Sequence, residues 1–295
     1  MNIPFLKFTK SYYIFSGLLA ALSLAAILIF GLNMGTDFTG GSILEVSFDV
    51  RPENSAIQEK LKDFNLGDMT IQSSGASEVI IRMKGIDEST HQEILTRLNA
   101  ISGVKELRFE SIGPVIGKEL TQKTLTLVLF SLVGLLIYII ISFSKVSYPV
   151  SGFKYGLISI IALTFDVLVT VGAFAVLGKY NNVQFNIPII TALLTILGYT
   201  INDKVIAFDR VRENLSRRNI NDFKELVNKS LNETLSRSLS TGMCSLFVLI
   251  SIFFFGGETL KYFALALFTG IIVGTYSSLF LASPLLVSWS GKHKK

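Results

Sequence analysis

Ile196 to Arg218 read ILGYTINDKVIAFDRVRENLSRR, and the reading of this stretch decides the fold. It starts inside a hydrophobic run that opens at about Ile187 and is long enough to span a bilayer. Asn202, Asp203 and Lys204 fall within that run, and the stretch ends in a dense cluster of positive charge. A carboxylate at membrane depth costs about 2.5–3.5 kcal/mol on insertion scales, so Asp203 is expected to face a protein interior or a water path. Two readings stand side by side. Either Asp203 handles an ion, or it pairs with a basic residue and only holds helices together.

The rest of the composition agrees with a membrane protein. Of 295 residues, 50% are hydrophobic and 17% charged, and the mean hydropathy of +0.54 excludes an ordinary soluble domain. The formal net charge of +5 is expected to set topology rather than to bind nucleic acid, because many basic residues flank hydrophobic runs. Cys244 has no partner for a disulfide within the chain. His91 and His293 have no neighbours at metal-ligand spacing, so no metal site is expected. There is no phosphate-binding glycine loop and no Ser–His–Asp arrangement, so neither an enzyme nor a cofactor is expected.

Taken in order, Tyr12 to Leu32 form a first apolar run, too long for a signal peptide and expected to remain as an anchor. Residues 1–36 are assigned to the N-terminus and this first span. From Asp37 to about Lys123 the chain turns polar. Gly35, Asp37, Gly40 and Gly41 lead in, and the glycine pair suits a sharp turn from helix to strand. Strands are expected at Ile43–Phe48, Met69–Gln72, Val79–Met83 and Val104–Phe109, and helices at Asn54–Phe64 and Glu88–Ile101, with Asn54 or Ser55 as a cap for the first. The order βαββαβ is that of a ferredoxin-like α+β domain, assigned to residues 37–123. Its expected core is Val46, Ile57, Leu61, Ile81, Ile94 and Leu98.

Four more spans are expected near Leu125–Phe143, Pro149–Leu177, Thr234–Phe255 and Tyr262–Trp289. With the first run and the central one they make a polytopic α-helical protein of six transmembrane helices, residues 124–290 holding the last five and a basic loop at 210–233. Lys145, Arg210, Arg212, Arg217, Arg218, Lys224, Lys229 and the tail residues Lys292, Lys294 and Lys295 fall on one side. Lys179 and Lys261 fall on the other. The positive-inside rule then puts both termini, including the tail 291–295, in the cytoplasm and the small domain outside.

Three spans carry charge. Asp166 lies in the third, with Ser159 and Thr170 near its face. Asp203 lies in the fourth beside a stripe of Thr191, Thr195, Gly198 and Asn202. Arg237 lies in the fifth with Thr234, Thr241 and Ser245. Helical spacing turns such groups toward neighbouring helices. Asp203 is expected about 9 Å, and Asp166 about 20 Å, from the basic end of their helices. Arg237 enters from that same end, so an inner Asp203–Arg237 pair with Asp166 further out forms a ladder able to carry a proton. Lys204 points about 100° away and is expected to snorkel to the surface. The pattern GIIVG at Gly270 to Gly274 allows close helix contact.

Five motifs together resemble the SecD/SecF family of protein-export membrane proteins, on its SecF side. They are GTDFTGG at residues 35–41, SIGPVIGKEL at 111–120, FDVLVTVGAFAVLG at 165–178, GYTINDKVIAFDRVREN at 198–214 and GGETLKYFALALFTGIIVGTYSS at 256–278. They cover nearly the whole chain in order. The resemblance implies a six-span fold related to resistance-nodulation-division transporters and a place in the cytoplasmic membrane. It implies work with SecD beside the SecYEG channel, with YajC and YidC as further partners and preproteins as cargo. The activity it implies is late-stage translocation driven by a proton or sodium gradient. Asp203 and Arg237 fall on positions that it marks for ion coupling. Two residues depart from the family pattern. Phe165 stands where His is often found before the third-span Asp, which removes an imidazole from any relay, and Lys204 stands where Thr is common. The competing functions are half of a small-molecule or lipid exporter of the same superfamily, and a scaffold in which the charges only hold the bundle.

Overall fold

The computed structural model describes residues 3–67, 69–75, 77–144, 149–217 and 222–290. The chain forms two compact units, one of Met1–Asn33 with Leu127–Lys295 and one of Met34–Thr126.

The smaller unit opens with a single turn of helix, α2 (Thr36–Thr39), that the sequence pattern does not announce; it follows the long helix α1 (Thr9–Phe30) of the other unit. Gly40 and Gly41 then turn the chain at φ 77° and 146°, angles that favour glycine, and a Cβ at Gly41 would strike the backbone oxygen of Met83. The elements that follow are β1 (Gly41–Phe48), α3 (Asn54–Leu61), β2 (Thr70–Ser74), β3 (Glu78–Met83), α4 (Glu88–Asn99) and β4 (Val104–Ile112). The sheet order is β2-β3-β1-β4 with every neighbouring pair antiparallel, which is the ferredoxin-like arrangement. Period-two alternation puts Leu44, Val46 and Phe48 of β1 and Val79, Ile81 and Met83 of β3 on one face. Leu44 stands opposite Ile81 and Val46 opposite Val79. Helices α3 and α4 cover that face with Ile57, Leu61, Ile94 and Leu98, and all six expected core residues lie in this cluster. Glu53, not Asn54 or Ser55, precedes α3 and makes no side-chain cap bond. Asp87 caps α4 by accepting from the Thr90 N–H at 3.0 Å. His91, expected only as part of a polar segment, is buried, stacks on Phe109 at 3.7 Å and approaches Glu88 and Glu106.

The larger unit is a helix bundle. Helices α1, α5 (Pro114–Ser142), α6 (Gly152–Asn181), α7 (Ile187–Arg217) and α8 (Phe223–Phe255) are joined by a last span. That span runs through α9 (Glu258–Ser277), a π-helical turn at Ser278–Ala282 and α10 (Ser283–Trp289). Among the described residues, six helical segments are thus long and apolar enough to cross a membrane. They exceed the expected runs because the helices continue past their apolar cores. In consequence, residues 210–233 are not mainly a loop: most belong to the ends of α7 and α8. Arg210 joins those ends through Glu233 at 2.6 Å, and Asn214 donates to Ser230 and Glu233.

Helices α6, α7 and α9 form the centre, and α7 also packs on α8. GIIVG performs the close contact its pattern allows: Cβ atoms at Gly270 and Gly274 of α9 would overlap Ile196 and Thr200 of α7. At one end of the bundle Asn228 and Asn232 of α8 hold the backbone of Ile3 and Leu6. At the same end Lys154 donates to the Trp289 carbonyl and Arg212 to that of Ser142. The residues just before α1, the close of α5, the close of α7, the start of α8 and the close of α10 therefore share an end. Lys145, Arg218, Lys292, Lys294 and Lys295 lie outside the described residues.

Candidate functional site

Asp166, Asp203 and Arg237 each stand close to the middle of their helices: fifteenth of 30 residues in α6, seventeenth of 31 in α7, fifteenth of 33 in α8. The register of α7 assigns its neighbouring residues to different surroundings. Thr200, Asp203, Lys204, Ala207 and Phe208 turn inward, while Thr191, Thr195, Gly198 and Asn202 lie on an exposed face.

Asp203 is 3% exposed and lies beside Ser238 of α8, with the Lys204 charge next to it in sequence. Arg237, one residue earlier on α8, is exposed and forms no ion pair among the described residues. The structure therefore brings Asp203 to α8 without joining it to the guanidinium. Since successive residues of a helix differ by about 100°, Ser238 points to Asp203 and Arg237 does not.

Lys204 does not snorkel. Its side chain is fully buried and its Nζ donates to Asp166 Oδ2 at 2.8 Å, with the Thr200 carbonyl at 3.4 Å. Snorkelling fails because Lys204 is centred in the helix and turned toward α6, where a carboxylate stands at the same level. Asp166 is thus held by Lys204, and the expected Asp203–Arg237 pair is absent among the described residues. Thr170 and Ser159, also fully buried, donate to their own helix carbonyls at Asp166 and Tyr155. Phe165 is buried and packs against Tyr276, so the position where an imidazole was expected carries an aromatic contact.

The supporting hydroxyls lie elsewhere. Thr195 donates to Thr191 and Thr241 to the Arg237 carbonyl, each four residues back, and both side chains are exposed. Asn202 is exposed beside them. Tyr199 and Ser245 link α7 and α8 at 3.3 Å. The two helices therefore present neighbouring polar surfaces at mid-span. Among the described residues no group of His, Cys, Asp and Glu is arranged to hold a metal. The lead-in motif belongs to the smaller unit: Gly40 and Gly41 shape the entry to β1, preceded by Gly35 and Asp37 at the start of α2.

Among the described residues, six apolar helices, a ferredoxin-like sheet after the first and charge buried at the middle of the bundle define a polytopic membrane protein. Residues 92–292 match the protein export membrane protein SecD/SecF C-terminal family, and residues 25–50 match the SecD/SecF GG motif. The chain is 37% identical to the protein translocase subunit SecF of Thermobaculum terrenum, over 98% of this chain and 95% of that one. It is 33% identical to that of Synechocystis sp., again over 98% and 95%. Among solved structures, SecDF from Thermus thermophilus, a translocon-associated membrane protein, superposes with a TM-score of 0.86 at 32% identity. That match covers 98% of this chain and 39% of the other, so the chain spans well under half the length of SecDF. The chain belongs to the SecD/SecF family.

Proposed function

We propose that the chain is a SecF-type accessory subunit of the Sec protein translocase. Together with a SecD-type partner beside the SecYEG channel, it uses an ion gradient to promote late translocation of secreted proteins across the cytoplasmic membrane. Asp203 is the coupling residue. The observation that carries this reading is a carboxylate buried in the central helix, facing α8 beside Ser238 and in no ion pair among the described residues. Such a group is able to take up and release a proton at little structural cost, which an ion-paired carboxylate is not. Arg237, next to Ser238 on α8, supplies the charge that favours the ionised form when the two helices shift. In this reading Thr195, Asn202 and Thr241 line the surface on which a second six-helix half sits. That half is the natural counterpart of a chain matching 39% of SecDF. Both termini are cytoplasmic, since the shared end of the bundle carries Arg210, Arg212, Lys224 and Lys229. The sheet domain, residues 37–123, then stands outside.

The test is translocation of a preprotein into inverted membrane vesicles containing the chain, its partner and the channel, with an imposed proton or sodium gradient. A gradient-dependent gain that Asp203→Asn abolishes, at unchanged complex abundance, is expected. Normal gradient-dependent translocation per assembled Asp203→Asn complex rules the coupling role out.

A further inference from the structure

The pair formed by Lys204 and Asp166 has the build of an occupied cation site. Both side chains are 0% exposed and meet at 2.8 Å, and the ammonium also lies 3.4 Å from the Thr200 carbonyl. Asp166 Oδ1 and Thr200 Oγ1 are buried and have no hydrogen-bond partner among the described residues. Gly274 closes the site from α9: a Cβ there would overlap the Thr200 side chain and come within 3.6 Å of Asp166 Oδ2. Carboxylate, carbonyl and hydroxyl oxygens thus gather at one place in the bundle interior, and the cation among them is covalently part of the chain.

We propose that Lys204 is a tethered cation. Its ammonium permanently occupies the cation place against Asp166, so that Asp166 is a fixed counter-charge outside the ion path and ion movement is left to Asp203. A bare carboxylate at this depth would recruit a proton or an alkali cation. A linked ammonium is always present, and displacing it would strand a buried charge of each sign. The pair also ties α7 to α6 one residue away from Asp203. The statement about Asp203 rests on the function proposed above; the pairing does not.

The test uses the full chain expressed with its SecD-type partner in membranes, as Lys204→Met, Asp166→Asn and the double variant. Each single variant should lower the assembled complex at least tenfold. The double variant should return to within about threefold of the unsubstituted protein. Per assembled complex, it should keep gradient-driven translocation with an unchanged pH profile. Single variants at normal abundance, a double variant as depleted as the singles, or an assembled double variant with lost or pH-shifted gradient dependence would each overturn the proposal. Asp203→Asn on the same membranes separates the two readings. Normal translocation by Asp203→Asn would remove the coupling role of Asp203, while recovery of abundance in the double variant would still decide the pairing.

Discussion

Arg237 and Ser238 are consecutive on α8, yet the serine lies beside Asp203 while the guanidinium is exposed. If Asp203 alternates between ionised and neutral forms, the cation one step around the helix sets the balance. Arg237→Met should then reduce gradient-driven translocation at least tenfold without changing abundance of the assembled complex. Arg237→Lys should retain part of it, because charge survives while the planar fork does not. Equal translocation by both variants and the unsubstituted protein, per complex in vesicles, would remove Arg237 from the mechanism. The burial of Asp203 is legible from the sequence, since a carboxylate inside an apolar run has few places to go. The partner of Lys204 is not, although Asp166 and Lys204 carry opposite charges near the middle of adjacent spans. Sequence spacing gives the angle around one helix but not the height or facing of its neighbour, and those decide which charges meet.

Among elements, the sheet domain is the most legible because short-range rules specify it: alternation in β1 and β3, helical spacing in α3 and α4, and glycines at the turn into β1. The exact caps are less so, as Glu53 shows. Helix α4 offers a quantitative check. Hydrogen bonds from Thr90 and Ser89 hold the Asp87 carboxyl below its ordinary value of 3.8. A depressed folded-state pKa adds stability that is fully present above the unfolded value and is lost as pH falls through the folded one. In a fragment of residues 41–112, Asp87→Ala should therefore be less stable than the unsubstituted sequence at pH 7. The difference from the unsubstituted fragment should shrink as pH drops below about 3.8. Ile94→Ala, at a fully buried site, should cost about 2–5 kcal/mol with little dependence on pH. Urea denaturation of the three fragments at pH 7 and pH 3 measures both effects. An Asp87→Ala deficit that grows toward low pH would contradict the cap assignment.

At the scale of the whole molecule, the bundle carries polar surface where lipid would be an unfavourable neighbour. Thr191, Thr195 and Asn202 of α7 and Arg237 and Thr241 of α8 are exposed, whereas α1 and α5 expose mainly apolar side chains. The threonines satisfy their own hydroxyls through carbonyls four residues back, but the side chains of Asn202 and Arg237 find nothing comparable among the described residues. An arginine facing the bilayer centre costs about 2.5–3.5 kcal/mol on insertion scales, so this face is stable only when covered by protein or water. The sequence shows the stripe but not its direction: hydroxyl spacing alone fits contact with a neighbour inside the chain as well as contact with a second chain. A SecD-type half is the expected cover. Without it, the chain should accumulate to a fraction of its normal level and be cleared from the membrane. The variant Asn202→Leu with Thr195→Val should reverse that dependence. It should raise the level of the chain alone, because an apolar face is at home in lipid, and lower recovery of the partner when both are expressed, because the partner's polar groups lose their counterparts. Quantitative immunoblotting and co-purification from the same membranes read both quantities. Equal abundance with and without the partner, together with unchanged co-purification in the apolar variant, would mean that the exposed stripe faces lipid or a different protein.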